Sequence, residues 1–367
     1  MKNIIVLCGG KSAEREISLI TANLVLNSID EQKFKVYPIV VDELNRWHYI
    51  KNFKNDILSH KGEQVFLKMG ENVLYKKVGL ILKKLIQVDC AILCHHGLNG
   101  EDGTIQGVLE LCNIPYTSSN VLSSSITMDK VFMKLLFKEF KINVIDYDYF
   151  TKFEYENSSE EILNRLESKL DYPIIIKPAN LGSSIGINIA KNRKELIEAI
   201  IVAFSYDNKI LAEKALTNFK EINCAVLGYK NNIIVSSLEE PVSWKEFLTF
   251  DEKYINSNKK YSKRTYPAKL NSSQEEEIKN ISRHIFEKFE LSGVVRIDYI
   301  VTKNKIYVNE INSIPGSLAY YLFEEENLCF TEIIDKLINF AIEKNKDKNS
   351  VTYAYKSEVL ANKNIVK

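Results

Sequence analysis

Apolar and polar positions along this 367-residue chain recur with two different periods. Near the N-terminus the apolar run Asn3–Cys8 ends in Gly9-Gly10, and a helical pattern follows from about Ala13 to Ile29. Apolar strands over Lys35–Val41 and Val88–Leu93, then a glycine-rich loop and a helix over Thr104–Cys112, continue the alternation. Strands alternating with helices predict a parallel α/β domain over residues 1–120. Ser118-Ser119-Asn120 and Ser123-Ser124-Ser125 form a polar seam suited to a boundary.

Beyond a helix predicted over Met128–Phe140 the rhythm shortens. Brief strands over Tyr172–Lys177, Ile185–Ala190, Lys209–Glu213, Ile222–Leu227 and Asn232–Ser236 follow at hairpin-like spacing, which predicts antiparallel sheets. Helices are predicted near Glu160–Lys169 and Arg193–Phe204. An amphipathic helix over about Gln274–Phe289 precedes a last strand pair, Val294–Val301 and Lys305–Ile311, and a final helix spans Thr331–Lys344. The expected division is 1–120, a central lobe 121–207, a C-terminal lobe 208–346 and a tail 347–367.

Composition narrows the field. Hydrophobic residues at 45% and charged residues at 26% suit a globular chain with a large core. The 49 Lys and Arg against 48 Asp and Glu leave no global field for nucleic acid or an anionic membrane, so neither is expected as a partner. Apolar runs are strand-length, too short for a bilayer, and no signal-peptide pattern opens the chain, so a cytoplasmic protein is expected. Cys8, Cys90, Cys94, Cys112, Cys224 and Cys329 lack zinc-site spacing and read as buried structural thiols.

The last strand pair carries the chemistry. Residues i and i+2 of a strand share a face, so Arg296 lies with Asp298 and Glu310 with Asn312. A three-residue loop within Thr302–Lys305, with Asn304 free to take φ > 0, sets Asp298 opposite Glu310 and Arg296 opposite Asn312. Another loop length or a bulge changes that register. Two carboxylates and a carboxamide beside a guanidinium form an oxygen-only set suited to Mg²⁺ with substrate phosphates. Exposed strands also carry such residues for solubility, but the repeat on two strands ending in Pro315-Gly316 favours Mg-nucleotide chemistry. Upstream, Lys177-Pro178-Ala179-Asn180-Leu181-Gly182-Ser183-Ser184-Ile185-Gly186 joins two strands. Gly182 permits close approach to an anion, while the two hydroxyls, successive N–H groups and Lys177 can bind phosphate oxygens. The spacing is not that of a P-loop, and no helix follows directly.

Together the Lys177–Gly186 loop, the Arg296–Asn312 hairpin and Pro315-Gly316 resemble the ATP-grasp fold. More narrowly, Gly9-Gly10-Lys11-Ser12-Ala13-Glu14-Arg15-Glu16-Ile17-Ser18 and His96-Gly97-Leu98-Asn99-Gly100-Glu101-Asp102-Gly103 resemble the D-alanine–D-alanine ligases, in the right order over about residues 3–345. The resemblance implies an α/β and α+β class: a Rossmann-like parallel N-terminal domain, then a two-lobed ATP-grasp fold with antiparallel sheets. It implies ATP-dependent joining of two D-alanines through an acylphosphate, for peptidoglycan precursors, with ATP and Mg²⁺ (Mn²⁺ as the substitute). A homodimer through the N-terminal domain is also implied.

Residue by residue, Lys130 and Lys177 match the lysines that hold ATP phosphates, with Ser184 beside them. Glu213-Lys214-Ala215-Leu216 matches the adenine segment, Glu221 the acid near the ribose, and Lys253-Tyr254 the pair on a lid within Phe247–Arg264. Asp298, Glu310 and Asn312 match the metal ligands. Arg296, with the N–H of Gly316, matches the group that stabilises the tetrahedral intermediate. Glu14 matches the acceptor of the first substrate's ammonium, and Ser183 bonds Tyr254 in the family. His96 is expected at the substrate, and Tyr321 and Leu322 at the acceptor's carboxylate.

Some positions depart from the pattern. Tyr321 stands where the family usually has a small hydroxyl residue before leucine, and Ala215 replaces an aromatic often found over adenine. Tyr254 suits D-alanine rather than D-lactate as acceptor. The expectation is a D-alanine–D-alanine ligase or a close paralogue with an altered second-substrate pocket. The alternatives are a ligase for another acceptor, such as D-serine or D-lactate, and a non-catalytic ATP-binding paralogue, which would not need Arg296. A dinucleotide dehydrogenase, suggested by Gly9-Gly10, lacks Gly-x-Gly-x-x-Gly. Simpler readings make Glu14 a helix-dipole partner, Glu101 and Asp102 caps of the Thr104 helix, and His48, His60 and His284 unpartnered.

Overall fold

The apolar N-terminal run becomes a strand buried on both faces, as continuous runs in parallel sheets do. The computed structural model describes residues 1–51, 62–241 and 264–352. Its first sheet contains β1 (Lys2–Gly9), β2 (Phe34–Val41), β3 (Trp47–Tyr49), β4 (Glu63–Leu67), β5 (Val73–Val78), β6 (Ile81–Gln87) and β7 (Cys90–Leu93), in the order β6-β5-β4-β3-β2-β1-β7. Only β2-β1-β7 is parallel, with α1 (Arg15–Ser28) connecting β1 to β2. β3 to β6 extend it in antiparallel fashion. The parallel α/β unit expected from sequence is present as β2-β1-β7, and antiparallel strands widen it into a mixed sheet. These added strands are short and partly exposed, and antiparallel pairing requires no helical crossover, so they carry little apolar signal.

After α2 (Thr104–Leu111), the serine seam proves to be α3 (Val121–Met128), followed by α4 (Lys130–Glu139). Asn120 caps α3 by accepting from the Ser123 N–H. Ser125 and Thr127 donate their hydroxyls to the carbonyls of Val121 and Ser123, which allows polar residues inside a packed helix. The second sheet, β8 (Tyr147–Thr151), β9 (Ile174–Pro178), β10 (Asn188–Ala190) and β11 (Lys209–Lys214), is antiparallel in the order β10-β9-β11-β8. It shares a core with α5 (Lys152–Leu170) and α6 (Arg193–Ala203). The strand predicted over Ile185–Ala190 shortens because Ser183, Ser184 and Gly186 take φ of 54°, 59° and 73°, which no strand accommodates.

The third sheet, β12 (Lys220–Tyr229), β13 (Asn232–Glu239), β14 (Gly293–Val301) and β15 (Ile306–Asn312), runs β13-β12-β14-β15, all antiparallel. One face packs on α7 (Ser272–Lys288) and on Met133 and Phe137 of α4. The other buries Ala225, Leu227 and Val294 in one core with β1, β7 and α8 (Phe330–Asn349). Across the expected division at 207/208, β11 pairs with β9 and β8 of the second sheet, and α4 packs on both sheets, Met133 and Phe137 on the third and Val131 on Tyr147 and Leu211 of the second. Among the described residues, no helix is long and apolar enough to cross a membrane.

Candidate active site

Arg296 pairs with Asn312 and Asp298 with Glu310 across β14 and β15, the register the sequence predicts. The loop differs, however. Val301 pairs with Ile306, and a bulge between Asp298 and Tyr299 restores the phase, with no positive φ at Asn304. The ladder continues outward: Asp298 faces Asn223 on β12, and Asn223 faces Glu239 on β13. Arg296 grips Asp298 through two bonds, Nε to Oδ1 at 2.7 Å and Nη2 to Oδ2 at 2.8 Å. Asn312 Nδ2 donates to Asp298 Oδ2 at 3.0 Å, which turns its Oδ1 the other way.

Facing this row is the second sheet. Lys130 opens α4, where Asp129 caps two N–H groups, and its Nζ donates to Leu181 O at 2.9 Å and lies 3.4 Å from Glu310. Lys177, on β9, pairs with Glu213 and reaches Asn309 Oδ1 at 3.4 Å. Lys134, one turn beyond Lys130, sits 2.6 Å from the other Glu213 oxygen, both side chains 1% exposed. Burial opposes the charge on Glu213, but the two ammoniums win and hold its pKa at about 2. Glu213 is therefore engaged by lysines rather than presented openly to adenine. Lys134 was missed by sequence reading. Its signal was a lysine i+4 from Lys130 on the apolar side of a helix.

Glu14 occupies the N-cap position of α1, where its charge complements the helix dipole, but its side chain makes no capping bond. Its carboxylate instead reaches the glycine loops and accepts from the Ser183 hydroxyl. A Cβ on Gly97 would lie 2.5 Å from Glu14 Oε2, and one on Gly182 would lie 2.9 Å away, so a side chain at either position would displace the Glu14 carboxylate. Glu101 is not a cap either. It takes the N–H of Gly97 and of Ile314, each at 2.8 Å, and straps the two loops together. Burial and the Glu14 charge raise its pKa to about 8. Asp102 accepts from Asn99 and Thr104 and shapes the turn. Glu14, Glu101, Lys130, Gly182, Glu310 and Asn312 line one small pocket of about 30 Å³.

His96 lies behind the substrate loop, 3% exposed, with both ring nitrogens committed. A carbonyl can only accept, so Nδ1–H donates to Ile314 O at 2.7 Å and Nε2 accepts from Thr21 at 2.9 Å. Thr21 Oγ1 in turn accepts the Ser317 N–H at 3.0 Å. Burial drives the His96 pKa down to about 4, so the ring is neutral. The relay holds Ser317, Leu318 and Ala319 at φ of 53°, 51° and 47°, a left-handed run that costs about 1–2 kcal/mol per residue unaided. Gly316 opens that turn with free space around its α-carbon. Tyr321 follows, half-buried, its hydroxyl pushed up to about 12 by burial and then by Glu239. Leu322 has its side chain in the core and its carbonyl on Tyr266 OH.

The remaining expected residues divide. Glu221 lies on β12 opposite Ile300, Ala215 donates to Pro173 O, Lys214 pairs with Asp171 at 3.5 Å, and Leu216 and Ser184 are half-buried. Lys253, Tyr254 and His60 lie outside the described residues. His48 does have a partner, Asp42 at 3.1 Å, and Cys329 is exposed, both contrary to expectation. A larger cavity of about 550 Å³ lies elsewhere, beside Tyr116 and Lys344. Its lysines are already engaged, Lys348 with the Glu110 carboxylate and Lys344 donating to the Ser118 carbonyl and the Ser292 hydroxyl.

Asp298, Glu310 and Asn312 fit a divalent ion: oxygen donors on adjacent strands, half-exposed, their negative charge now balanced by Arg296 and Lys130. An acidic antiparallel hairpin facing phosphate-type lysines and a glycine-serine loop from a second sheet defines an ATP-grasp, ATP-dependent ligase. Residues 3–119 match the family described as D-ala D-ala ligase N-terminus, and residues 136–339 its C-terminus. The chain belongs to the D-alanine–D-alanine ligase family. It is 44% identical over 360 residues to a D-alanine–D-alanine ligase of Thermosipho melanesiensis, covering 96% of this chain and 97% of that one. The corresponding enzyme of Caldicellulosiruptor bescii is 40% identical, covering 96% and 98%. Among solved structures, the Coxiella burnetii ligase superposes with a TM-score of 0.80 at 28% identity, covering 95% and 96%. The VanG D-Ala:D-Ser ligase of Enterococcus faecalis superposes at 0.78 with 31% identity, covering 93% and 99%.

Proposed function

We propose that the protein joins two D-alanine molecules to D-alanyl-D-alanine at the expense of ATP, in the cytoplasm, for peptidoglycan precursors. What supports this is the Arg296–Asp298–Asn312–Glu310 constellation, whose Glu310 and Asn312 share one pocket with Lys130 and with the Ser183-bonded Glu14. Glu14 receives the first D-alanine's ammonium, which directs its carboxylate towards the γ-phosphoryl group. Lys130 and Lys177 neutralise the phosphates, where charge compensation matters more than a protein nucleophile. Asp298, Glu310 and Asn312 would hold Mg²⁺, or Mn²⁺ in its place, which would supply charge neutralisation for the phosphates. Arg296, its plane fixed by Asp298, stabilises the oxyanion as the second amine attacks the acylphosphate, together with the Gly316 N–H. His96 acts by positioning that loop, through Ile314 and Thr21.

Phosphate release from ATP and Mg²⁺ with D-alanine, L-alanine or D-serine, with mass spectrometry of the products, tests the reading. D-alanine-dependent phosphate with the D-alanyl-D-alanine mass is expected. Phosphate with only a D-alanyl-D-serine product would transfer the assignment to another acceptor, and no phosphate would remove the enzyme reading. A homodimer through the N-terminal domain is supported by the apolar hairpin tip, where Val78, Leu80, Ile81 and Leu82 are 40%, 99%, 59% and 41% exposed. Light scattering should give twice the 42.2 kDa chain mass, and Leu80→Asp should shift it towards the monomer.

A further inference from the structure

We propose that Arg264 receives the acceptor amino acid's carboxylate and makes the second subsite selective for acceptors that carry one. The inference rests on the ligase reading and on Tyr321–Leu322 lying at the acceptor end of the site. Its starting point is a guanidinium held by its faces. Arg264 Cζ lies 4.8 Å from the Tyr321 ring centroid and 5.7 Å from that of Tyr266. Contacts of this kind fix the plane of an arginine while leaving its N–H edge for an anion.

Among the described residues, the carboxylate paired with Arg264 does not saturate that edge. Glu239 Oε1 is 3.8 Å from Nη1, a charge partner beyond hydrogen-bonding range, and the Arg264 side chain stays 40% exposed. Glu239 itself is buried, its other oxygen accepting from Asn223 at 3.2 Å. Asn223 is the register partner of Asp298, so Glu239, Asn223, Asp298 and Glu310 form one row across the four strands. Arg264 stands at the end of this row opposite Lys130. The phosphate lysines gather at one end, and the unsaturated guanidinium stands beyond Arg296 at the other.

The backbone around Arg264 is anchored as well. Thr265 and Glu240 exchange two backbone bonds at 2.9 and 3.0 Å, and Tyr266 OH donates to Leu322 O at 2.9 Å. The guanidinium is therefore carried by the same tyrosine that grips the acceptor loop. An acceptor whose amine meets the acyl carbon beside Arg296 extends its carboxylate away from the phosphates, towards this end. With Tyr321 in place of a small hydroxyl residue, one phenol cannot match a carboxylate, whereas the fork of Arg264 can.

Competition within one tube tests this. D-Alaninamide cannot be the donor, having no carboxylate to phosphorylate, but it can be an acceptor. With ATP, Mg²⁺, D-alanine and D-alaninamide, mass spectrometry gives the ratio of D-alanyl-D-alaninamide to D-alanyl-D-alanine directly, whatever fraction of enzyme is folded. The wild type should favour the dipeptide acid. Arg264→Gln should move the ratio towards the amide about 10–100-fold, the worth of a charge-assisted bond. Arg264→Lys, which keeps the charge but loses the fork, should fall between, and Tyr321→Phe should stay within about threefold of the wild type. An unchanged ratio in Arg264→Gln overturns the proposal. If that variant makes neither product, Arg264→Lys decides: a shift supports it and the wild-type ratio overturns it. Absence of both products from the wild-type enzyme instead refutes the ligase reading itself.

Discussion

Replacing Lys134 with methionine isolates the buried ion cluster that sets the electrostatics of the central sheet. The change removes one of two ammoniums from Glu213 and keeps side-chain volume nearly constant. In the folded protein Lys134 and Lys177 hold Glu213 at about 2 rather than 4.5, and both Glu213 and Lys134 are shielded from water. That difference corresponds to about 3 kcal/mol of stabilisation, similar to the cost of breaking a buried pair. A depressed carboxylate contributes fully above its unfolded value and is lost as pH falls through the folded one. The wild type should therefore lose this contribution between about pH 4.5 and pH 2. In Lys134→Met the loss should start from the same unfolded value but be smaller and complete at higher pH, because Glu213 keeps only Lys177. Hydrogen exchange followed by mass spectrometry on β9 and β11 peptides reads the lobe locally, independently of the other domains. Opening free energies should fall by about 2–4 kcal/mol at pH 7, and Lys134→Met/Glu213→Gln should recover at least half. Unchanged exchange in the single variant, or no recovery in the double, would refute the reasoning.

Other variants probe other parts of the site. Arg296→Ala should lower kcat about 10²–10³-fold with a smaller change in KM for ATP; an equal loss confined to KM would reassign Arg296 to substrate binding. Thr21→Val breaks the His96–Thr21–Ser317 relay and leaves a buried ring nitrogen and an N–H unpaired. It should cost about 1–3 kcal/mol and lower kcat, and a variant with wild-type melting and turnover would remove the relay from the account. Burial lowers the Lys344 pKa to about 7 from 10.5. The folded state then binds fewer protons than the unfolded one between these values, so stability rises with pH across that window. In urea denaturation from pH 7 to 10, Lys344→Met should show a flatter rise than the wild type; parallel curves would mean that Lys344 stays charged throughout.

Much of the site was legible because its information is local. The i, i+2 rule put Arg296 with Asp298 and Glu310 with Asn312, and the spacing of the two strands brought the pairs face to face. The loop detail was wrong and the register right, because a bulge offset the different turn. Gly182 is expected to let the backbone approach an anion; in the fold the nearest charged group to it, and to Gly97, is the Glu14 carboxylate. The helix expected over Met128–Phe140 is found as Lys130–Glu139, its start set by the Asp129 cap.

Tertiary structure decided what each polar group does once distant segments meet. No spacing rule joins Lys134 to Glu213, Glu101 to Ile314, or Arg264 to Tyr321, because those partners are set by sheet packing across long loops. His96 is the plainest case. From sequence it is a histidine on a site-facing loop; in the fold both nitrogens are spent on Ile314 and Thr21, and the ring is a strut rather than a ligand. The first sheet's antiparallel strands and the sharing of α4 with the third sheet were hidden for the same reason. Period and propensity act within a segment, whereas burial, and with it charge state and partner, is a property of the packed whole.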